Sequence, residues 1–256
     1  MLLWWAVTRF GVLCIIRLKI ENAYLDFARD WNVKRMAYAA SFGTSDWEYT
    51  AGQTRRCREL LRKFDVVSVR EESAVGLCRK FLGVNASHVL DPTMLLDVQD
   101  YIDLVESANV PKSKGTLLYY ILDETKPTTD LISRLADKTG LIPFHGNSRV
   151  EDWSAPLAER IQPPVEQWLR GFMDAELVVT DSFHACVFSI LFHKPFIVVG
   201  NKERGLARIK SLLNIFELEK CLYEDQELGM TNLNWNLVEE NLYEWRKKSF
   251  SLINKL

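Results

Sequence analysis

The sequence predicts an α/β fold with Rossmann-like parallel sheets, and two observations support this prediction. From Lys34 onward, short apolar segments alternate with segments of roughly 10–15 residues whose apolar positions recur at helical spacing, as in βαβ units. Several short segments, such as TLLYYIL at 116–122 and FIVVG at 196–200, are apolar without interruption. Such continuous runs are typical of strands that are buried on both faces of a parallel sheet.

The first half of the chain alternates strands and helices. The predicted strands are 34–42, 65–70 and 87–92. The predicted helices are 47–64, 71–83 and 97–107. Glu71 and Glu72 suit the first turn of the second helix, and Gly83 favours its end. Pro92 stops the third strand, since proline donates no hydrogen bond to a sheet.

The second half follows VPKSKG at 110–115, a Pro/Lys/Gly segment that predicts a domain boundary. The predicted strands are 116–122, 141–146, 176–181 and 195–200. The predicted helices are 128–139, 165–174, 182–192, 204–216 and 236–254. Ligands of such folds bind beyond the carboxyl ends of the strands, so polar residues at strand ends are the first candidates for a site.

The composition narrows the class of protein. Of the 256 residues, 48% are hydrophobic and 26% are charged, as in globular domains that are soluble in water. A net charge of −2 argues against a dedicated nucleic-acid binder, which would carry a basic excess. Five cysteines without a CxxC pair argue against a disulfide framework or a structural zinc site. We therefore expect reduced, buried thiols, no metal and a cytoplasmic location.

The first twenty residues, MLLWWAVTRFGVLCIIRLKI, do not fit a membrane span. Arg9 interrupts the apolar run, and no basic segment precedes it. We expect no transmembrane span here. Our hypothesis is that residues 1–20 are a non-native or frame-shifted remnant, because a back-translation of residues 1 to about 17 contains the peptide GSDQVW in another frame.

The segment VVTDSFHACVFSILF contains the strongest candidate site. Ser182 stands at the N-cap position between a strand and a helix, where backbone N–H groups favour an anion. His184 falls in the first turn of that helix, beside the same position, and Asp181 ends the strand. The arrangement fits the binding and protonation of an anionic substrate. Alternatively, Asp181 and Ser182 only cap the helix and His184 has a structural role.

Basic residues at other strand ends are candidates for anion binding. Arg70 ends the strand DVVSVR and is able to grip a carboxylate or phosphate with two hydrogen bonds. Its alternative role is an ion pair with Glu71, Glu72 or another surface acid. Arg204 and Arg208 begin the helix after another strand, where positive charge opposes the helix dipole and indicates a nearby anion. Their alternative role is that of a solvated basic face.

Two further strand-end residues are weaker candidates. Asp91 precedes Pro92 in LDPTMLLD, so its side chain is available to cap a turn or to bind a ligand. His145 ends the strand LIPFHG and is a second candidate histidine. The sequence contains no HExxH, Walker A, GxGxxG or GxSxG pattern, so metalloprotease, P-loop and hydrolase functions lack their motifs.

Several segments together resemble the polysaccharide pyruvyl transferases. They are AYAASFG, FDVVSVREESAV, VLDPTMLL, PVEQWL, VVTDSFHACVFSILFHKPFIVV and RGLARIKSLL, in order over roughly residues 22–225. The resemblance implies a glycosyltransferase-B-like architecture of two Rossmann-like halves. It also implies transfer of a pyruvyl group from phosphoenolpyruvate, used as a co-substrate without a further cofactor, to two sugar hydroxyls. The peptide GSDQVW is one that this family carries just upstream of YLDFA.

The resemblance implies roles for the candidate residues. His184 matches the general acid, and Arg70 matches an arginine that binds the donor. Other branches of the family carry an arginine where this chain has Ser182, so Arg204 or Arg208 would supply that positive charge. Asp181 and Asp91 would support the site. The acceptor would be a cell-surface glycan or its lipid-linked precursor, reached in the cytoplasm or at the periphery of the inner membrane.

The resemblance also implies a domain organisation. Residues 21–109 would form a partial N-terminal Rossmann-like half, 110–235 the C-terminal domain, and 236–256 a C-terminal helix. An incomplete half would leave a sheet edge exposed, which favours a homo-oligomer. Two alternatives to a pyruvyl transferase are a glycosyltransferase-B-like enzyme that uses a nucleotide sugar and an inactive truncated remnant.

Overall fold

The protein contains two parallel sheets, which confirm the predicted α/β class with Rossmann-like sheets. The structure is a computed structural model that describes residues 2–5, 20–148, 153–201, 206–223 and 232–255. The strands of the first sheet are β1 (Leu2–Trp5), β2 (Lys34–Ala40), β3 (Val66–Val69) and β4 (Ser87–His88). Those of the second sheet are β5 (Leu117–Tyr120), β6 (Pro143–His145), β7 (Leu177–Thr180), β8 (Phe196–Val199) and β9 (Leu222–Tyr223).

The helices largely follow the predicted pattern. They are α1 (Ala51–Leu61), α2 (Glu72–Leu77), α3 (Val98–Ser107), α4 (Lys126–Thr139), α5 (Leu157–Arg160), α6 (Val165–Asp174), α7 (Phe183–Leu191), α8 (Leu206–Ile215) and α9 (Trp235–Ile253). The predicted helix 71–83 is α2 followed by a π-helical turn, Cys78–Leu82, which ends at Gly83 with a φ of 69°. Within the described part of the chain, none of these helices has the length and apolarity needed to cross a bilayer.

The described residues form two compact units whose boundaries differ from the predicted ones. The first unit comprises residues within Met1–Leu95, Lys202–Glu217 and Glu239–Leu256, and the second comprises Leu96–Asn201 and Leu218–Val238. The predicted boundary at 109/110 is therefore displaced to 95/96, because α3 packs on α6 and Tyr101 contacts Phe188. The helix predicted at 236–256 is α9, and its Leu252 packs in the core of the first unit.

The sheet of the second unit has the strand order β6-β5-β7-β8-β9. The chain moves outward from β5 to β6 and then crosses back to β7, so the strand order reverses between β5 and β7. In open α/β sheets this reversal leaves a crevice at the carboxyl ends of the two strands, where ligands bind. Leu117 and Leu177 face a core that includes Leu131 of α4, whereas Leu118 faces Gly171 of α6.

The sheet of the first unit has the order β1-β2-β3-β4 and contains a bulge in β2. The register shifts between Ala37 and Ala40, and Ala39 has a φ of 50°. The Ser68 hydroxyl donates to Ala37 O at 3.0 Å and accepts from Ala39 N at 3.1 Å. Ser68 therefore replaces the strand-to-strand hydrogen bonds lost at the bulge, which directs the chain into the turn that follows Ala40.

Strand β1 lies in the segment assigned to a remnant. It pairs in parallel with β2, with Leu2 opposite Lys34 and Trp5 opposite Ala37. No strand was predicted for residues 2–5. The pairing places these residues at the sheet edge and says nothing of their origin, so the remnant hypothesis stays a prediction.

The cysteines of the described residues are buried thiols, as predicted. Cys57, Cys78, Cys186 and Cys221 form no disulfide, and burial raises the pKa of Cys57, Cys78 and Cys221 to about 12. A thiol reacts as its thiolate, so these side chains are packing groups. Cys14 lies outside the described residues.

Candidate functional site

Asp181 connects three strand ends of the second unit. Its Oδ1 accepts from Leu122 N at 2.7 Å, and its Oδ2 accepts from Asp123 N at 3.2 Å and from Asn201 Nδ2 at 3.0 Å. These partners follow β5 and β8, while Asp181 itself follows β7. Asp181 is buried, with 3% of the residue exposed. Asp181 thus fixes the crevice between β5 and β7, a structural role that keeps the neighbouring residues in place.

Ser182 and His184 stand at the same strand end. Ser182 is the N-cap residue of α7, as predicted, yet its side chain makes no capping hydrogen bond. Its backbone N–H donates to Thr180 Oγ1 at 2.9 Å instead. His184 lies in the first turn of α7, is half-buried, and meets the Phe183 ring edge-on at 5.4 Å between centroids. The helix N-terminus therefore offers its dipole, without a side-chain cap, next to an imidazole.

The uncapped N-terminus of α7 has a measurable consequence. We expect Ser182→Ala to lower the free energy of unfolding by less than about 0.5 kcal/mol, because no capping bond is lost. The matched control is Thr125→Ala at α4, where Thr125 accepts from Thr128 N in a capping box. That substitution should cost about 1 kcal/mol in urea unfolding. Equal losses for the two variants would contradict the observed cap geometry.

Arg70 and Asp91 form a buried ion pair in the first unit. Arg70 Nη1 donates to Asp91 Oδ2 at 2.6 Å, and the two side chains are 3% and 1% exposed. Asp91 Oδ1 also accepts from Thr93 N at 3.0 Å and from Thr93 Oγ1 at 2.7 Å. Asp91 therefore caps the turn at Pro92, as predicted, and the acid that pairs with Arg70 is an interior residue instead of a surface one.

Glu71 is a buried acid that was not among the predicted site residues. Its Oε1 accepts from Phe42 N at 2.6 Å, Gly43 N at 3.1 Å and Ser41 Oγ at 3.1 Å. Burial raises the pKa of Glu71, while the Gly43 amide and the charges of Arg70 and Arg208 act in the opposite direction. Glu71 holds the turn after β2 against the end of β3. The sequence contained one signal for this contact, namely an acid shortly after strand β3 and a Ser-Phe-Gly turn after the adjacent strand β2.

Of the two arginines predicted near the start of α8, the structure describes only Arg208. Arg208 is in the first turn of α8, 7% exposed, and its charge acts on Glu71. Arg204 lies outside the described residues. The predicted residues thus form two sets, each within its own unit: Asp181, Ser182 and His184 in the second, and Arg70, Asp91 and Arg208 in the first.

Two other histidines occupy defined surroundings. His88 Nε2 lies 3.2 Å from Arg70 O and 3.3 Å from Ser211 Oγ, and burial lowers its pKa. His145 Nε2 lies 3.2 Å from Glu124 Oε1. Across the ranges that the structure describes, no three His, Cys, Asp or Glu side chains converge closely enough to hold a metal ion.

Comparison with known proteins gives one extended match. A model of the polysaccharide pyruvyl transferase family matches residues 16–203. This range contains Arg70, Asp91, Asp181, Ser182 and His184. No curated protein matches the chain in a sequence search.

Comparison with solved structures gives distant similarities. The wall teichoic acid polymerase TagF is 13% identical, with a TM-score of 0.41 over 89% of this chain and 64% of TagF. A single-residue variant of TagF is 12% identical, with a TM-score of 0.41 over 87% of this chain and 63% of the variant. This chain thus spans less than two thirds of the length of TagF. Similarity at this level is too low to transfer a fold or a function.

Proposed function

Because the chain belongs to the polysaccharide pyruvyl transferase family, we propose that it transfers a pyruvyl group from phosphoenolpyruvate to two hydroxyls of a glycan. The product is a cyclic pyruvate ketal on a cell-surface polysaccharide or its lipid-linked precursor. Within the matched range, the observation that supports this proposal is His184 in the first turn of α7, beside a helix N-terminus without a side-chain cap.

The donor requires an anion site and an acid in one place. Phosphoenolpyruvate carries a carboxylate and a phosphate, both of which suit a helix N-terminus. The His184 imidazolium donates a proton to the methylene carbon, and the electron-poor C2 is attacked by a sugar hydroxyl, whose proton returns to the imidazole. The second hydroxyl then displaces phosphate, which leaves with the second hydroxyl proton. General acid catalysis of this kind contributes about 10²–10⁴ in rate.

The other residues are proposed to position the site or to bind the donor. Asp181 fixes the crevice through its bonds to Leu122, Asp123 and Asn201. Ser182 offers a hydroxyl that is not used for capping. Donor binding by Arg70, Arg204 and Arg208 stays a prediction. For Arg70, the buried pair with Asp91 favours a role in holding the end of β3.

The acceptor would set where the enzyme works. A lipid-linked precursor is met at the cytoplasmic face of the inner membrane, so we propose a cytoplasmic enzyme that associates with that surface. No nucleic acid is expected as a partner, given the net charge of −2.

A deuterium experiment tests the proposed reaction. The full chain is incubated in D₂O with phosphoenolpyruvate and an oligosaccharide acceptor, and the product is followed by NMR and by phosphate release. We expect phosphate release that depends on the acceptor, and a ketal methyl group that carries deuterium from the solvent. Parallel reactions contain nucleotide sugars in place of phosphoenolpyruvate. Release of nucleotide without turnover of phosphoenolpyruvate, or turnover of neither donor, would overturn the proposal.

A further inference from the structure

The second unit contains a cavity of about 920 Å³ beside its edge strand β6. It is lined by residues from the segment before β5, from the end of β6, and from α6 with the chain that precedes it. Neither Asp181, Ser182 nor His184 lines it. A volume of this size accommodates a ligand of several sugar rings. Nothing in the proposed reaction uses this cavity.

The charge of the lining favours an anionic ligand. Lys112, Lys114 and Arg170 line the cavity, and Glu159 is the acid among the lining residues that the structure describes. Both lysines are exposed, and no ion-pair partner exists for them among the described side chains. The charge of Arg170 is offset by Asp174 outside the lining, yet the two lysines still outnumber the one acid and attract negative charge to this cavity.

Arg170 is held in position by a specific arrangement. Its Nε donates to Asp174 Oδ2 at 2.8 Å, and the same oxygen accepts from Ser113 N at 2.7 Å. Asp174 is thus shared between α6 and the segment before β5, and its pKa is held below the usual range by the bonds from Arg170 and Ser113, against the effect of its burial. The bond from Nε fixes the orientation of the planar guanidinium at the cavity wall.

The remaining lining residues fit a polyhydroxylated ligand. Asn147, Gln162 and Gln167 offer side-chain amides, which both donate and accept, and Trp168 offers a ring. Trp168 Nε1 and Ser148 Oγ are buried without a hydrogen-bond partner among the described residues. A buried donor without a partner costs free energy, so a ligand hydroxyl or carboxylate that reached it would recover that energy.

We propose that this cavity binds an acidic oligosaccharide segment of the acceptor glycan, at a distance along the polymer from the sugar that reacts. The identification of the ligand as part of the acceptor rests on the proposed function. The recognition itself depends on the cationic side chains, which would bind uronate or phosphate groups, and on the side-chain amides, which would hydrogen-bond to sugar hydroxyls. The cavity would retain a long acceptor between transfer events.

Binding of a defined probe tests this inference. Isothermal titration measures the affinity of the full chain for a tetrasaccharide of alternating glucuronic acid and N-acetylglucosamine, and for its carboxyl-reduced counterpart. The test variant is Lys112→Gln combined with Lys114→Gln. The matched control is Lys126→Gln combined with Lys247→Gln, which removes the same charge from exposed positions that do not line the cavity.

We expect the acidic tetrasaccharide to bind at least about tenfold more tightly than the reduced one, with the difference lost at high salt. The test variant should lose that difference, and the control variant should keep it. No binding, equal loss in the control, or displacement by a nucleoside diphosphate at equal affinity would overturn the inference. Binding that persists in His184→Ala without any pyruvyl transfer by the wild type would overturn the proposed function and the assignment of the ligand to its acceptor, and would leave the site for an acidic oligosaccharide intact.

Discussion

Asp91→Ala is expected to lower the free energy of unfolding by about 3–5 kcal/mol. The substitution leaves the Arg70 guanidinium, whose side chain is 3% exposed, without the carboxylate at 2.6 Å that offsets its charge. A buried charge that loses its ion-pair partner costs several kcal/mol, far more than the pair itself contributes. The same change removes the acceptor for Thr93 N at the turn of Pro92. Urea denaturation followed by circular dichroism measures the loss.

Two controls separate the buried charge from other effects. Asp30→Ala removes the partner of Arg29 from an exposed pair, with side chains 60% and 81% exposed, and should cost less than about 1 kcal/mol. Arg70→Met combined with Asp91→Leu removes both charges, so it should be more stable than Asp91→Ala alone. A loss below about 1 kcal/mol for Asp91→Ala, or a double variant no more stable than the single one, would show that the pair is not buried as described.

The local order of strands and helices could be predicted from the sequence because it depends on apolar spacing. Helix α6 has its predicted bounds, since Pro164 precedes it and its apolar residues recur at helical spacing. Strand β4 is shorter than the predicted 87–92. The strand ends early because the Asp91 side chain accepts hydrogen bonds from Thr93 and Arg70. These bonds turn the chain before Pro92. Such a contact depends on a residue in another strand, which spacing does not reveal.

The sequence also could not show which helices belong to which unit, because this depends on contacts between residues that are distant in the chain. Helix α3 follows the first sheet in sequence, yet it packs on α6 of the second unit. Helix α8 lies between β8 and β9 of the second sheet in the sequence, yet its Ser211 hydroxyl accepts from Glu72 N of the first unit at 3.0 Å. Sequence order suggests that a helix joins the unit of its neighbours in the chain, whereas side-chain packing decides which unit it joins.

The strand-end location of the candidate residues could be predicted from the sequence, whereas their functional roles stay predictions. The rule that ligands bind at strand ends selected Asp181, Ser182 and His184, which do follow β7 at the reversal of strand order. The sequence did not show that Asp181 accepts from Leu122 N, 59 positions away. The sequence placed Glu71 in the first turn of a helix and did not show that it is buried, because it accepts from Gly43 in the turn after β2, 28 positions earlier.

His184→Ala is expected to lower kcat for pyruvyl transfer by about 10²–10⁴. The proposed step needs a proton donor at the methylene carbon, and no other side chain of the first turn of α7 is an acid. Because the imidazole must be protonated to donate, the rate of the wild type should fall as the pH rises, and this dependence should disappear in the variant. Acceptor-dependent phosphate release measures both, and the tetrasaccharide titration confirms that the variant is folded.

The matched control is His193→Asn, in the same unit. His193 has a φ of 49°, a conformation that asparagine tolerates, and its ring stacks on Trp235 away from the first turn of α7. This variant should keep its rate within about threefold, since it removes an imidazole that is not proposed to touch the donor. If His184→Ala retained the wild-type rate and pH dependence, the proton would have to come from another group. If both variants lost activity equally, the loss would reflect packing of the second unit and His184 would not be the general acid.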